Sequence, residues 1–350
     1  MKWTDLATSM PPSVTYRIPA LVATPAGGLL AAIDRRKNQS SDLPGDIGVL
    51  LRRSDDNGET WSDTRVIVDH PGPQGYGDSS LLVDRVKRRV FLFCTYSAGL
   101  VGFWNSKPGT ADTTDPSTLH VHVRHSDDDG RSWSEPVDLN PRVKDPTWAS
   151  YFASSGHGTQ LSGGRLIQPI VVRDGEGLVR SGNIISDDHG QTWRAGELLD
   201  AGTDESRVVE LSNGHVMQNS RASKGEYRLV SFSRDGGETF GRARTTELID
   251  PRVNADLIRV NPNRHGPHRD WLLFSNPASA TARENLTLRL SRDNGDTWPV
   301  ERVLHSQAAG YSAMAMLPNG KIGIFAELGR TDYTERLSFT SISVDELGTG

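Results

Sequence analysis

The side chains that could carry chemistry fall mainly in the irregular segments of this 350-residue chain, between short apolar runs. A guanidinium group can make two parallel, permanently charged bonds to a carboxylate, so the arginines among them could bind an anion. Carboxylates and phenols can transfer protons or act as nucleophiles. The set comprises Arg17, Asp34, Arg36, Asp42, Asp46, Asp78, Phe103, Trp104, Glu205, Arg221, Arg283, Tyr311 and Glu327.

A repeated pattern indicates which elements position these residues. Ser54–Trp61 reads Ser-x-Asp-x-Gly-x-Thr-Trp, and four further copies start at Ser126, Ser186, Ser233 and Ser291. Asp and Ser side chains accept backbone N–H bonds, glycine adopts positive φ, and the last aromatic residue can act as an apolar anchor. Each copy therefore predicts a structural turn, and five copies indicate an array of similar units.

A second type of turn precedes the copies, with glycine or small polar residues between two short apolar runs, as in a β-hairpin. Two hairpins make one four-stranded antiparallel blade. We expect an all-β fold, a six-bladed β-propeller, that forms a single domain over residues 1–350. The sixth blade lacks a fourth strand, which the residues before Arg17 are expected to supply. These turns lie at 24–30, 83–90, 161–167, 211–217, 260–271 and 317–322.

The blade pattern also predicts where function lies. Both kinds of turn fall at one end of the blades, and the less regular connections fall at the other. Loops on a rigid scaffold commonly carry binding and catalytic residues. We therefore expect the reactive side chains to meet at the end away from the repeated turns.

Bulk properties exclude several classes of protein. The formal net charge is -5, which disfavours nucleic acid as a partner. Cys94 is the single cysteine and is predicted to be an inert core residue. No segment approaches the length of a membrane span, and the N-terminus lacks an apolar signal core. We expect a monomer, secreted if a signal peptide was removed and cytoplasmic if the sequence is complete.

The run Ser-Asp-Asp-Asp-Gly at 126–130 is similar to part of a calcium-binding loop. A calcium loop of the EF-hand type also needs a glutamate at its twelfth position and flanking helices, and neither pattern is present. We therefore interpret this run as a hairpin turn and expect no metal and no organic cofactor.

Two local runs point to a known family. Tyr-Arg-Ile-Pro-Ala-Leu occupies 16–21, and Ser-Asp-Asp-His-Gly-Gln-Thr-Trp-Arg-Ala-Gly-Glu occupies 186–197. With the five copies, here called Asp boxes, and the spaced Arg, Glu and Tyr residues, the chain resembles the bacterial exo-α-sialidases (neuraminidases) of the glycoside hydrolase family 33 type. The resemblance extends from about Arg17 to Glu327. It implies a six-bladed propeller and a retaining glycosidase that removes terminal residues.

The resemblance also implies roles in substrate binding. Arg17, Arg221 and Arg283 match the three arginines that bind the carboxylate of sialic acid. Arg36 matches the arginine that contacts the sugar near O4, with Asp78 beside it. Glu327 matches the carboxylate that holds one of the three arginines in place.

Three further matches concern catalysis. Tyr311 matches the nucleophile; a neutral phenol avoids repulsion by the substrate carboxylate, and sialidases use tyrosine where most glycosidases use a carboxylate. Glu205 matches its base, with Glu210 as the alternative. Asp42 matches the acid/base that protonates the leaving oxygen and then activates water, with Asp34 and Asp46 as alternatives.

The pocket for the C5 substituent departs from the family pattern. His157 stands where relatives carry glutamate, and the loop 97–118, with Phe103 and Trp104, is individual. The predicted function is a retaining exo-α-sialidase for terminal sialic acid on glycans, glycoproteins or glycolipids. A hydrolase for a deaminated or other nonulosonic acid and a non-catalytic carbohydrate-binding propeller are the alternatives.

Overall fold

The computed structural model describes residues 1–70, 72–108, 112–261 and 266–347. In these ranges it contains 25 β-strands, one α-helical turn, α1 (Asn140–Val143), and one 3-10 turn (Asp345–Leu347). The strands are short, rich in aliphatic residues and separated by turns in which glycine has positive φ, for example Gly27 at 91°. The all-β prediction is confirmed.

Strands β2 to β19, in residues 14–249, form four sheets. Their neighbouring strands are antiparallel, except that β11 runs parallel to β6. The first sheet contains β2 (Val14–Ala23), β3 (Leu29–Lys37), β4 (Ile47–Ser54) and β5 (Arg65–Val68). The second contains β6 (Gly75–Asp84), β7 (Arg89–Ser97), β8 (His120–Ser126), β9 (Val137–Asp138) and β11 (Gly156–His157). The third contains β10 (Ser150–Ala153), β12 (Thr159–Gln160), β13 (Leu166–Arg173), β14 (Val179–Ser186) and β15 (Arg194–Ala195). The fourth contains β16 (Thr203–Glu210), β17 (Val216–Ala222), β18 (Tyr227–Ser233) and β19 (Arg244–Ile249).

A seven-stranded sheet follows and includes both ends of the fold. It contains β20 (Asp256–Arg259), β21 (Leu272–Pro277), β22 (Glu284–Ser291), β23 (Val300–Met316), β24 (Ile322–Leu328), β25 (Arg336–Ile342) and β1 (Thr4–Thr8). The long strand β23 pairs first with β22 and then with β24, so it joins two four-stranded halves. β1 pairs with β25, with Thr4 opposite Phe339. The predicted contribution of the N-terminal residues to the last unit is confirmed.

Apolar side chains fill the spaces between successive sheets. One cluster joins Leu82 of β6 to Ile170 of β13. Another joins Phe325 of β24 to Leu29 of β3, so the last sheet also packs against the first. Cys94 of β7 is buried between the first and second sheets, as predicted. This packing holds the inner strands of the sheets, which carry the candidate site, in fixed positions.

The Asp boxes form hydrogen-bonded turns. In the first copy Ser54 Oγ accepts the Gly58 N–H at 2.8 Å, and the Asp56 carboxylate accepts the Thr60 N–H at 2.9 Å. Trp61 packs on Phe339 of the neighbouring sheet, with ring centroids 5.1 Å apart. Equivalent serine and aspartate bonds recur in the other four copies. The prediction of structural turns is confirmed.

Contacts between units place the turns at one end of the molecule. The Ala26 N–H in the first glycine turn donates to Asp129 in the second Asp box. Arg165, beside a later glycine turn, donates to the Gly236 carbonyl in the fourth Asp box. Both types of turn therefore meet at the same end, as predicted. In the described ranges no helix has the length and apolar character required to cross a membrane.

Candidate active site

β-bulges interrupt four inner strands at the end opposite the Asp boxes. The interruptions in register fall between Arg17 and Ala20, Gly77 and Ser80, Thr203 and Ser206, and Ala309 and Ser312. A bulge bends its strand and redirects the adjacent side chains. The sequence pattern placed Arg17, Asp78, Glu205 and Tyr311 in connections between strands. That placement is wrong, because all four lie within strands, in or beside these bulges. The same placement is also wrong for Asp34 and Arg36, which lie within β3, and for Arg221, which lies within β17.

Glu327, at the end of β24, organises three neighbouring groups. Its carboxylate accepts two bonds from the Arg17 guanidinium, at 2.9 and 3.1 Å. It also accepts the backbone N–H groups of Ile18 and Tyr311, each at 2.9 Å. Glu327 is fully buried, and these four bonds compensate for the loss of water around its charge. The predicted contact between Glu327 and one of the three arginines is present.

Unusual backbone geometry accompanies this carboxylate. Ile18 has a φ of 61°, which is rare for a β-branched residue and costs conformational energy. Its buried side chain packs against Val253 and Tyr311, and its N–H bonds to Glu327. On the other side of Glu327 a Cβ at Gly310 would lie only 2.1 Å from Oε2. Glycine is therefore required there for β23 to approach the carboxylate.

Tyr311 and Glu205 form the central contact of the site. The Tyr311 hydroxyl donates to Glu205 Oε2 at 2.5 Å, although the two residues are 106 positions apart in the sequence. Arg221 Nη1 donates to the same carboxylate oxygen at 2.7 Å and lies 3.3 Å from the Tyr311 oxygen. A phenol, a carboxylate and a guanidinium thus share one network. The sequence analysis selected these three residues, and the structure brings them together from β16, β17 and β23.

The environment keeps the Tyr311 hydroxyl protonated. Burial raises the pKa of Tyr311 well above its usual value, and the negative charge of Glu205 raises it further. Arg221, Arg283 and Arg17 act in the opposite direction, because their positive charges stabilise a phenolate. The phenol therefore has both a proton acceptor and three cations available to a developing negative charge.

The other two predicted arginines lie beside the Tyr311 ring. The guanidinium carbons of Arg17 and Arg283 are 5.3 and 5.5 Å from its centroid. They are also 5.2 and 4.9 Å from the ring of Tyr333. Contacts of this kind orient a guanidinium and leave its N–H edge available to an anion. The structure therefore brings together Arg17, Arg221 and Arg283 around one phenol.

Tyr333 is a residue that the sequence analysis missed. It lies in the connection between β24 and β25, at the same end of the molecule as the other site residues, and contacts both Arg17 and Arg283. An aromatic residue in a connection at the predicted functional end was a usable signal. The residue was passed over because no repeated motif marks it.

Arg36 links a group of acidic side chains on the first and second sheets. Its Nη2 lies 2.7 Å from Asp42, whose side chain is 71% exposed, and 3.9 Å from the fully buried Asp34. Desolvation opposes the ionisation of Asp42, but the charges of Arg36, Arg17 and Arg283 hold its pKa below the usual value. Asp42 is therefore a carboxylate in this arrangement.

The pKa values of Asp34 and Asp78 are raised, in contrast to the lowered pKa of Asp42. Burial raises the pKa of Asp34 to about 6, against the charge of Arg36. Asp34 accepts the Asp78 N–H at 2.9 Å and the Ser79 hydroxyl at 3.2 Å. Burial, together with the charges of Asp42 and Asp34, raises the pKa of Asp78 well above its usual value. Asp78 is close enough to Arg36 to interact electrostatically, as the resemblance implied.

Asp34 and Asp46, the alternatives to Asp42, and Glu210, the alternative to Glu205, differ from those residues in their surroundings. Asp46 lies 3.1 Å from Lys37, and Asp34 is enclosed behind Arg36. Asp42 is the most exposed of the three aspartates. The Glu210 carboxylate accepts the N–H and the hydroxyl of Ser162, at 2.7 and 2.8 Å. It lines a cavity of about 670 Å³ beside the glycine turns, at the end away from Tyr311.

The aromatic residues predicted for the C5 pocket lie beside the Asp42 segment. A Cβ at Gly102 would lie 2.1 Å from the Leu43 carbonyl oxygen, so the two loops touch. The Phe103 ring packs against Phe152 of β10, with centroids 5.1 Å apart, and against Trp104. Trp104 is 73% exposed. Residues 109–111 of the same predicted loop lie outside the described ranges.

A second buried ion network lies near Glu205. His157 Nε2 is 3.0 Å from Asp256, and Arg207 donates to the same carboxylate at 2.7 Å. Arg207 and Asp256 were not selected from the sequence. Asp256 begins the run Asp-Leu-Ile, and Arg207 precedes the apolar pair Val208-Val209, so neither differs from an ordinary strand residue in the pattern. The network connects β11, β16 and β20 beneath the candidate site.

Comparison with known proteins assigns the family. The sequence model of the BNR repeat-like domain family matches residues 28–324. The sialidase of Micromonospora viridifaciens is 43% identical over 325 residues, which cover 90% of this chain and 50% of that protein. The chain belongs to the sialidase family. A second sialidase, from Bacteroides fragilis strain YCH46, is 32% identical over 330 residues, which cover 90% of this chain and 60% of that protein.

A solved structure supports the same assignment. The Hadza microbial sialidase Hz136 superposes with a TM-score of 0.87 and 32% identity, over 96% of this chain and 67% of that chain. The fold of this sialidase-family chain is accordingly of the β-propeller type. The chain spans 50% and 60% of the lengths of the Micromonospora and Bacteroides proteins.

Proposed function

We propose that this chain is a retaining exo-α-sialidase that removes terminal α-linked sialic acid from glycans, glycoproteins or glycolipids. The observation that carries the proposal is the 2.5 Å hydrogen bond between Tyr311 and Glu205 inside a group of three arginines. A phenol next to a base is the nucleophile arrangement of sialidases, and three arginines match an anionic sugar. The family membership and the names of the two relatives agree with this activity.

We further infer a six-bladed propeller and take residues 1–350 as one catalytic unit. The seven-stranded sheet supplies two of the six blades, because β23 serves each half in turn. The packing of the last sheet against the first supports closure of the ring. A closed ring would hold the inner strands together around one axis, which explains how residues from β2, β16 and β23 meet.

Substrate binding in this proposal depends on the arginines. The substrate carboxylate takes bonds from Arg17, Arg221 and Arg283, while Glu327 keeps Arg17 oriented. Arg283 lies over the rings of Tyr311 and Tyr333, and contacts of this kind leave the N–H edge of the guanidinium available to the sugar. Arg36 and Asp78 bind hydroxyl groups of the sugar on the other side of the site.

The first chemical step forms a glycosyl–tyrosine bond. The Tyr311 oxygen attacks the anomeric carbon as its proton passes to Glu205, and the bond to the leaving oxygen breaks. Asp42 supplies a proton to that oxygen. In the second step Asp42 accepts a proton from water as the water oxygen attacks the anomeric carbon. The bond from that carbon to the Tyr311 oxygen breaks, and Glu205 returns its proton to this oxygen. Two inversions at one carbon retain its configuration.

The electrostatics of Asp42 suggest how one residue serves in both steps. Arg17 and Arg283 are among the cations that lower its pKa. In the proposal these arginines are neutralised by the substrate carboxylate, so the pKa of Asp42 rises when substrate binds and the acid form becomes accessible. An exposed carboxylate then also has access to the water that it activates in the second step.

The test uses the purified chain and fluorogenic α-glycosides with different C5 groups, including the N-acetyl and the deaminated sugar. We expect release of the fluorophore from the N-acetyl compound, and proton NMR should detect the α-anomer as the first product. Release of the β-anomer would exclude retention. Binding of sialic acid by a folded protein that hydrolyses no member of the series would instead support the carbohydrate-binding alternative.

A further inference from the structure

Two histidines and an aspartate form a compact group on the second sheet, outside the candidate active site. His120 and His122 are two positions apart on β8, so their side chains lie on the same face. Asp138 on β9 pairs directly with His122. One ligand atom from each of the three residues lies within 4.8 Å of the others. Imidazole and carboxylate are ligands that zinc and similar metal ions accept.

One nitrogen of each imidazole contacts a group other than Asp138, and the second nitrogen faces Asp138. His120 Nε2 lies 2.9 Å from the Asp115 carbonyl oxygen, which can only accept a hydrogen bond, so this nitrogen carries a proton. His122 Nδ1 lies 2.9 Å from the Tyr76 hydroxyl. Metal-bound histidines commonly donate their second N–H in this way to a carbonyl or another oxygen. His120 Nδ1 and His122 Nε2 are then the two nitrogens that face Asp138.

Distances around Asp138 fit a bound cation. Its Oδ2 lies 2.9 Å from His120 Nδ1 and 3.9 Å from His122 Nε2. Ligand atoms about 2.0 Å from a tetrahedral zinc ion are about 3.3 Å apart, so a shift of about half an ångström would complete the geometry. Asp138 Oδ1 is occupied by the Asn140 N–H at 2.8 Å, which orients Oδ2 toward the histidines. His122 and Asp138 are 15% and 12% exposed, so water can reach the group.

The short contact between His120 and Asp138 needs a positive charge between its two atoms. His120 Nδ1 has a second neighbour besides Asp138. The side-chain amide nitrogen of Asn140 lies 3.1 Å from it and also donates to the Leu119 carbonyl. An unprotonated nitrogen 2.9 Å from a carboxylate oxygen would be repelled by it. Either a proton on His120 or a metal ion removes this repulsion. A metal ion would replace the Asn140 bond and would also account for the approach of His122.

We propose that His120, His122 and Asp138 bind one divalent transition-metal ion of the zinc type, with water as the fourth ligand. The ion joins β8 to β9, and β9 is only two residues long. The rings of Tyr76 and Tyr96 lie against His122, at centroid distances of 5.4 and 5.1 Å, and hold it in position. The site stabilises the second sheet and takes no part in hydrolysis.

The test titrates the metal-free full-length chain with Zn²⁺ by calorimetry and with Co²⁺ by visible absorption. We expect one equivalent of Zn²⁺ to bind, a tetrahedral Co²⁺ spectrum, and a higher melting temperature with Zn²⁺. His122→Ala and Asp138→Asn should each weaken binding more than tenfold. Tyr76→Phe, which removes the oxygen that positions His122, should weaken it by about tenfold.

His125→Ala provides the matched control. His125 is on the same strand, lies on the opposite face and is more exposed than His122, so its removal should leave Zn²⁺ affinity unchanged. If His122→Ala does not fold, His122→Gln keeps the side-chain size and tests the same nitrogen. The proposal is overturned if the wild-type chain binds no Zn²⁺ or if the His122 and Asp138 variants bind it as tightly as the control. The first result would mean that a proton on His120 stabilises the contact with Asp138.

Discussion

The hydroxyl of Tyr311 and the carboxylate of Glu205 lie 2.5 Å apart, and the same nitrogen of Arg221 contacts both. Glu205 is buried, and its other oxygen lies 3.5 Å from the Ser155 hydroxyl. In the proposed mechanism the oxygen that contacts Tyr311 accepts the phenol proton. Arg221 can follow the negative charge as it moves from Glu205 to Tyr311 or to a substrate carboxylate. This relationship is the one expected of a tyrosine activated by a neighbouring base, and the predictions below test it.

Tyr311→Phe removes the oxygen that we propose as the nucleophile and keeps the ring beside Arg17 and Arg283. We expect kcat on a fluorogenic sialoside to fall by about a thousandfold or more, because the variant has no oxygen beside Glu205 to attack the anomeric carbon. Steady-state kinetics measure the change, and the melting temperature should show that the variant is folded. Activity within a few fold of the wild type would rule out the assigned nucleophile.

Glu205→Gln keeps the shape of the side chain but removes its capacity to accept the phenol proton. Loss of a positioned base costs about 100- to 10,000-fold in rate, and we expect kcat to decrease within this range. Glu210→Gln is the matched control, since Glu210 bonds to Ser162 at the other end of the molecule. Equal losses in the two variants would show that the effect is structural.

Asp42→Asn tests the proton donor through the choice of leaving group. An acidic phenol needs little protonation to depart, whereas a sugar hydroxyl needs it strongly, so the variant should lose far more activity on a sialyl oligosaccharide than on an aryl sialoside. The difference is expected to be about 100-fold or more in kcat/KM. The ratio of the two rates is the measurement. A ratio identical to that of the wild type would transfer the acid role to another group.

Glu327→Gln leaves the buried Arg17 guanidinium without its ion-pair partner. Breaking a buried pair in this way costs about 3 to 5 kcal/mol of stability. Urea unfolding should show this loss, and KM should increase because Arg17 is no longer held in place. Glu59→Gln, at an exposed position in the first Asp box, serves for comparison. An unchanged KM in the folded variant would contradict the positioning role.

Asp34→Asn tests a pH effect with a defined sign. The pKa of Asp34 is raised to about 6 by burial, above the value of about 3.9 in unfolded chains. Its favourable contribution is therefore present below about pH 4 and is lost as the pH rises through 6. Because asparagine does not titrate, the stability of the variant relative to the wild type should increase by about 3 kcal/mol between pH 3.5 and 7.5.

Urea unfolding of both proteins across that range measures the difference. Asp63→Asn, at an exposed position, provides the baseline for loss of one aspartate. A difference that stays constant with pH, or that decreases as the pH rises, would contradict the raised pKa of Asp34.

Much of the architecture could be predicted from local patterns. The Asp boxes are complete within eight residues, because their hydrogen bonds join Ser, Asp, Gly and Thr of the same turn. Short apolar runs between turns sufficed to predict the strands and the pairing of the N-terminal segment with the last unit. The order of turns and connections in each blade also predicted the end of the molecule at which Arg17 and Tyr311 meet. The Asp boxes and the strands depend on side chains that are near one another in the sequence, whereas the pairing of the N-terminal segment followed from the strand that the sixth blade lacked.

Only the tertiary structure decided the geometry of the site. The bulges beside Arg17, Glu205 and Tyr311 arise from the register of paired strands, which no local pattern specifies. The contact of Glu205 with Tyr311 requires two inner strands to pack around the same space. The pKa of Asp34 depends on burial behind Arg36, and Tyr333 acquires its place from two arginines distant in sequence. Residue types are local properties, whereas register, burial and charge proximity result from contacts across the whole chain.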